Sequence, residues 1–200
     1  MDKQKAAADI IAKVLPLVPF EGWNQQTLGK AAIEAGYKRT DVIRVFPGGA
    51  LDAIDAFLEL SDQEMRDTLA TYHLDTMKIR ERIASAVRIK LSSMAPHREA
   101  LRRAIAMHAM PFYCHRSLKS LYRTVDSIWY AIGDTSSDFN FYTKRLTLAG
   151  VYTTTLLFWL EDKSPGFESS WAFLDRRISD VMTIEKGKHQ FRTWYQKNFA

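Results

Sequence analysis

From Asp62 to Ser92 the chain contains neither proline nor glycine. A sheet protein turns often, and its turns depend on residues that tolerate unusual backbone angles. Along this run Leu69, Tyr72, Thr76, Ile79, Ile83, Ala86 and Ile89 mark an apolar stripe, which predicts one long helix or two joined by a kink. Elsewhere the six prolines and nine glycines are spaced as helix punctuation. A first helix is expected over Ala6–Leu17, ended with the help of Pro16 and Pro19. Thr27 is the candidate N-cap of a short helix to Ala35, with Gly36 as the turn after it. A third short helix covers Asp41–Phe46 and stops at Pro47, Gly48 and Gly49, and a further one follows over Leu51–Leu60. Pro96 is placed as the first residue of a helix that Pro111 ends or bends. Arg116–Ile132 closes at Gly133. Phe139–Leu160 is the most apolar helix, and a linker spans Asp162–Gly166. Trp171, Leu174, Ile178, Val181 and Met182 mark the next helix, Gly187 interrupts it, and His189–Phe199 forms a terminal segment. Strand alternation is weak throughout. The expectation is an all-α chain of nine or ten helices.

Charge is polarised along the sequence. Residues 1–60 carry seven basic and eight acidic side chains, whereas residues 78–123 carry eleven basic and two acidic. A basic middle predicts an acidic partner: nucleic acid, anionic lipid or an acidic protein face. The first three helices have the length pattern of a helix-turn-helix, in which Lys38, Arg39, Thr40 and Arg44 would be the readers and Phe46 a core anchor. Their module is slightly negative, with Glu34, Asp41 and Asp52 near the reader segment. That opposes phosphate neutralisation, so no nucleic acid is expected.

Enzymatic signatures are missing. Cys114 and His115 are adjacent and diverge on a helix, so they make no ready nucleophile pair, and Cys114 reads as a small core hydrophobe. No histidine has a glutamate three residues before it, which excludes the di-iron carboxylate pattern. There is no phosphate-cradling glycine loop and no serine elbow. One cysteine supports neither an internal disulfide nor a thiolate cluster. Leu146–Leu160 is fifteen residues with four threonines, too short for a bilayer span. The N-terminal residues, rich in both charge signs, match neither a secretory signal nor an organelle transit peptide.

Three late segments draw attention. Gly133–Arg145 is dense in hydroxyls, amides and charges; Asp138 can cap the following helix, Asp134 can close the turn, and Asp126 lies near enough to join Lys144 or Arg145. It reads as a braced helix corner or as the mouth of a pocket beside Trp129, Phe139, Phe141 and Tyr142. The helix Phe139–Leu160 is apolar on more than one face, which means a dimer seam or a ligand tunnel. The candidates for that surface are Leu146, Ala149, Tyr152, Leu156, Leu157, Trp159 and Leu160, with Trp171, Leu174 and Ile178 from the next helix. At the end, Phe191, Trp194, Tyr195 and Phe199 share an arc flanked by Arg192 and Lys197, as in helices that lie on membranes.

Five strings carry a resemblance: Leu15–Trp23 (LPLVPFEGW), Phe46–Gly49 (FPGG), Met77–Ile83 (MKIRERI), Gly133–Arg145 (GDTSSDFNFYTKR) and Trp171–Ile178 (WAFLDRRI). Occurring in this order between Ala6 and Met182, they resemble the accessory lipid-binding protein family of ubiquinone (coenzyme Q) biosynthesis. The resemblance implies a TetR-regulator-like helical bundle and a homodimer. It also implies a hydrophobic cavity holding a lipid or isoprenoid quinone intermediate with no other cofactor or metal, and a partner, the di-iron hydroxylase of the pathway. It divides the chain into a trihelix plus the start of a connecting helix (1–60), a lipid-binding and dimerisation domain (61–186) and a terminal amphipathic helix (187–200). The partner would meet Trp129, Tyr130, Asp134, Asp138, Tyr142, Lys144 and Arg145. The membrane would meet Phe191, Arg192, Trp194, Tyr195 and Phe199, with Arg80, Arg82, Arg88, Lys90, Arg98, Arg102 and Arg103 facing anionic headgroups. The expected role is non-catalytic extraction or presentation of polyisoprenoid intermediates. The expected location is peripheral to the bacterial inner membrane, or on the matrix side in a mitochondrion. The competing readings are a ligand-responsive TetR-type regulator on palindromic DNA and an enzyme acting on a lipid quinone precursor.

Overall fold

A computed structural model describes residues 2–134 and 139–199, with side chains described for all of these except 139–140 and 184–199. Among the described residues there are ten α-helices and no strand: α1 (Lys3–Val14), α2 (Val18–Glu21), α3 (Gln25–Glu34), α4 (Asp41–Val45), α5 (Ala50–Leu69), α6 (Ile79–Ser93), α7 (Arg98–His108), α8 (Cys114–Ala131), α9 (Phe139–Glu161) and α10 (Glu168–Phe199).

The ends of these helices follow local chemistry. Asp2 caps α1 by accepting from the Gln4 and Lys5 amides. The cap of α3 is Asn24, not Thr27: Asn24 Oδ1 accepts from the Gln26 and Thr27 amides at 2.9 Å, and Thr27 is fully buried. The long run without proline or glycine is broken all the same, between Leu69 and Ile79. There the Thr71 hydroxyl donates to the Thr68 carbonyl (2.7 Å), the Thr76 hydroxyl donates to the His73 carbonyl (2.8 Å), and Glu81 reaches back to accept from the Lys78 amide (2.9 Å). Side chains that satisfy helix-end carbonyls and amides stop a helix as effectively as proline does. Conversely, Gly187 interrupts nothing, and the α10 backbone is helical through it. The domain edges drawn at residues 60 and 186 therefore fall inside α5 and α10.

One apolar core runs from α1 to α10, with Ile10, Leu28, Ile54, Leu91, Leu101, Ile128, Trp159 and Leu174 essentially sealed. The small N-terminal module is fastened to the body. Trp23 is buried, its indole nitrogen donates to the Ala100 carbonyl at 3.0 Å, and Arg103 donates to the Pro19 carbonyl at 2.8 Å. Trp23→Phe keeps the ring but removes that bond. We expect a loss of about 1–2 kcal/mol in urea unfolding and faster amide exchange at α2; unchanged exchange there would show that the bond does not hold the module.

Polar pairs link α5 to α8. Arg116 pairs with Asp52 and, at 2.6 Å, with Asp55; Arg123 lies 3.5 Å from Glu59. Deeper in, Lys90 of α6 is fully buried and donates to Asp62 (2.6 Å) and Ser61 (2.7 Å), while Thr124 of α8 donates to the second Asp62 oxygen (3.1 Å).

Candidate functional site

Helices α6, α8, α9 and α10 meet around a half-open apolar groove with a cavity of about 380 Å³. Its walls are Ile79, Arg80 and Ile83 from α6, Trp129 from α8, Thr143, Lys144, Thr147, Leu148 and Val151 from α9, and Ile178, Val181 and Met182 from α10. Helical periodicity explains the α9 contribution: residues 143, 147 and 151 are four apart and stack on one face. A second cleft of about 700 Å³ shares Arg80, Ile178 and Met182 with the first and is more polar, with Ser85, Arg88, Asp175 and Ser179 in its walls. An apolar chamber that shares wall residues with a polar one suits an amphipathic ligand, and the first falls within the size range of small-molecule sites.

Of the ten candidates for a cavity or dimer helix, Ile178 lines the groove. Tyr152, Trp159, Leu160 and Leu174 are buried core, and Ala149, Leu156 and Trp171 pack against that core. Leu146 and Leu157 stand 77% and 51% exposed on the outer face of α9. An all-round apolar helix announces that several faces are used, but composition cannot say which face meets the groove. Leu148 carries no signal in that reading, Ile79, Ile83 and Val181 carry that of core stripes only, and Met182 reads equally as deformable lining or core filler.

The partner candidates separate likewise. Trp129 and Lys144 belong to the groove wall. Arg145 is 7% exposed and is held by Asp126 at 2.6 Å, and its guanidinium lies 3.3 Å from the Phe141 ring centroid. Asp134 pairs with Lys144 at 2.8 Å and sits 3.7 Å from Arg145. The braced corner read from the sequence is thus present. Tyr130 and Tyr142 are strongly exposed. Asp138 lies outside the described residues, as do the side chains of Phe191, Arg192, Trp194, Tyr195 and Phe199.

The basic middle is mostly engaged within the fold. Lys90 faces no headgroup: it neutralises Asp62 in the interior. Arg98 donates to the Leu160 and Asp162 carbonyls, Arg102 pairs with Glu161, Arg88 pairs with Asp175 at 2.6 Å, and Arg82 donates to the Met77 and Ile132 carbonyls. Arg80, at the junction of the two clefts, has the loosest pairing, 3.9 Å from Glu81. Cys114 is another correction. It is exposed, because the turn Pro111–Tyr113 places it at the very start of α8, outside the buried stripe that runs through Ser120, Thr124 and Ile128.

Among the described residues no group of three or more His, Cys, Asp or Glu side chains is placed to hold a metal ion. No described helix is long and apolar enough to cross a membrane. In the N-terminal module α4 has five residues, Asp41 accepts from the Lys38 amide, and Ile43 is 64% exposed where a reader side chain would stand.

Residues 114–185 match the family model described as COQ9. The ubiquinone biosynthesis protein COQ9 of Rattus norvegicus is 31% identical over 181 residues, covering 88% of this chain and 58% of that protein. Its counterpart from Homo sapiens is 29% identical over 182 residues, covering 88% and 57%, and both are described as mitochondrial. The chain thus spans a little under three fifths of the length of these relatives. A TetR transcriptional regulator from Nitrosomonas europaea superposes with a TM-score of 0.69 at 20% identity, covering 86% of this chain and 95% of that one. At that identity the likeness is one of fold, and it agrees with the all-α, TetR-like bundle expected from the sequence.

Proposed function

We propose, from its similarity to the COQ9 proteins of ubiquinone biosynthesis, that the chain serves the same pathway as a non-catalytic lipid-binding accessory protein. The groove between α6, α8, α9 and α10 takes the tail of a polyisoprenoid quinone intermediate. The protein presents that intermediate to the pathway's di-iron hydroxylase at a membrane surface. The observation that carries the reading is the groove itself: mainly apolar, half-open and sharing wall residues with a polar cleft. Burying a tail there gains roughly 0.8 kcal/mol per methylene, so a few isoprene units suffice for tight retention. The exposed Tyr130 and Tyr142 beside the groove are the docking candidates for the hydroxylase, and the exposed outer face of α9 is the candidate homodimer seam.

The regulator reading has less support. Its module carries no basic footprint, its reader helix is short, and the bonds from Trp23 and Arg103 fasten the module to α7.

Native mass spectrometry of the purified protein, paired with capture of the hydroxylase, tests the proposal. A co-purifying isoprenoid or quinone precursor is expected in the wild type. Val151→Trp, which fills the groove from α9, should lower lipid occupancy about tenfold while the protein stays folded. An empty wild-type protein that binds a palindromic duplex with steep salt dependence would favour the regulator instead.

A further inference from the structure

At the junction of α5, α7 and α8 two complementary polar atoms face each other without meeting. His108, the last residue of α7, brings its Nε2 to 3.9 Å from Asp55 Oδ1 of α5. Both atoms are sealed from solvent, and neither has a hydrogen-bond partner. A buried polar atom left unpaired is costly, and native folds keep few of them. Other bonds already occupy this junction. Asp55 Oδ2 accepts from Arg116 at 2.6 Å, the Asp55 carbonyl accepts from Arg123 at 3.1 Å, and the His108 carbonyl accepts from the Ser117 hydroxyl at 2.5 Å.

Charge decides what a proton does here. The imidazole faces the Asp55 carboxylate from α5 and the Arg116 and Arg123 guanidiniums from α8. Asp55 favours an imidazolium, but Arg116 already binds that carboxylate. Arg116 also pairs with Asp52, and Arg123 lies 3.5 Å from Glu59. Burial is the largest influence and holds the histidine below its ordinary value of 6.5; Asp55 pulls it back up, and the two guanidiniums push it further down. The seated ring is therefore neutral at neutral pH. An imidazolium there has a sealed Nε2–H with no acceptor within hydrogen-bond reach.

We propose that His108 is an acid-release catch: neutral, the ring seats the end of α7 against α5; protonated, it leaves the junction and frees the last turn of α7 with the turn that follows. That turn carries Met110 and Phe112, which are 50% and 96% exposed, so little packing resists its movement. Arg116 and Arg123 keep α8 on α5 throughout, which confines the release to one helix end. A base that binds its proton less well in place than in solvent holds fully above the ordinary value of 6.5. Its hold is lost as pH falls through the lower, seated value. Asp162, held at about 2, discharges far below this window.

The test uses the whole protein between about pH 7.5 and pH 5. One measurement is the imidazole titration of His108 by NMR, assigned as the signal missing from His108→Gln. The other is the amide protection of residues 105–113, corrected for the intrinsic pH dependence of exchange. His97, at the opposite end of α7, is also held low by burial, so protection is read only at the His108 end. Wild-type protection should fall about tenfold for each pH unit by which His108 titrates below a free histidine. His108→Gln should keep the same protection across the range. Should that variant fold poorly, the wild-type exchange curve decides alone: a local fall with its midpoint below 6.5 supports the catch, and a flat curve overturns it. A His108 that titrates at or above the free value, or an equal fall in His108→Gln, overturns it as well.

Discussion

Lys90→Ala should cost about 3–5 kcal/mol in equilibrium unfolding, the range for removing one half of a buried ion pair. Lys90 is fully buried and Asp62 nearly so, 2.6 Å apart. Burial pushes the Lys90 ammonium below its ordinary value, and the Asp62 carboxylate opposes that push. Without the lysine, Asp62 keeps only the Thr124 hydroxyl among its side-chain donors and strands a carboxylate in the core. The double variant Lys90→Met with Asp62→Leu removes both charges at similar volume and should recover most of the loss. If Lys90→Ala falls within 1 kcal/mol of the wild type in a urea titration, the pair is not holding α5 against α6.

Asp162→Ala should have the next largest effect, about 2–3 kcal/mol at neutral pH, and it should depend on acidity. One Asp162 oxygen accepts from the Ser164 amide (2.8 Å) and hydroxyl (2.7 Å), and the other from the Ser170 amide (2.8 Å) and hydroxyl (2.5 Å). Burial alone would raise this carboxyl, but the bonds from Ser170 and Ser164 outweigh it and hold the pKa at about 2. A folded value below the unfolded one means that the stabilisation is complete above the ordinary aspartate value, near 4. It is lost as pH falls through the folded value. The gap between wild type and variant should therefore be full at pH 7 and nearly closed at pH 2. A gap independent of pH would show that packing, not charge, is what the alanine removes.

Much of the architecture was legible because helices announce themselves by period and punctuation. The stripe at Ile10, Ile11 and Val14, the proline at 111 and the glycine at 133 each mark an element the structure contains. Errors came where a side chain does the work of a backbone breaker. Thr71, Thr76 and Glu81 end and restart helices through hydrogen bonds that depend on conformation, which no composition rule foresees. The site was harder for a geometric reason. A groove is made by four helices whose relative rotations are set by long-range packing, so Ile79 and Met182, far apart in sequence, line one wall only after the fold forms. Lys90 was assigned to the surface because lysine is almost always there. Its partner Asp62 sits twenty-eight positions away, and nothing between them marks the pairing.

The polar seam between α5 and α8 has one more consequence. Grease slides, whereas matched charges index like a detent. Shifting α8 along α5 by a single turn, about 5.4 Å, would unseat Arg116 from Asp52 and Asp55, Arg123 from Glu59, and Thr124 from Asp62 in one step. Trp129 rides on the same rod, so its place in the groove wall is gauged from the α5–α8 seam.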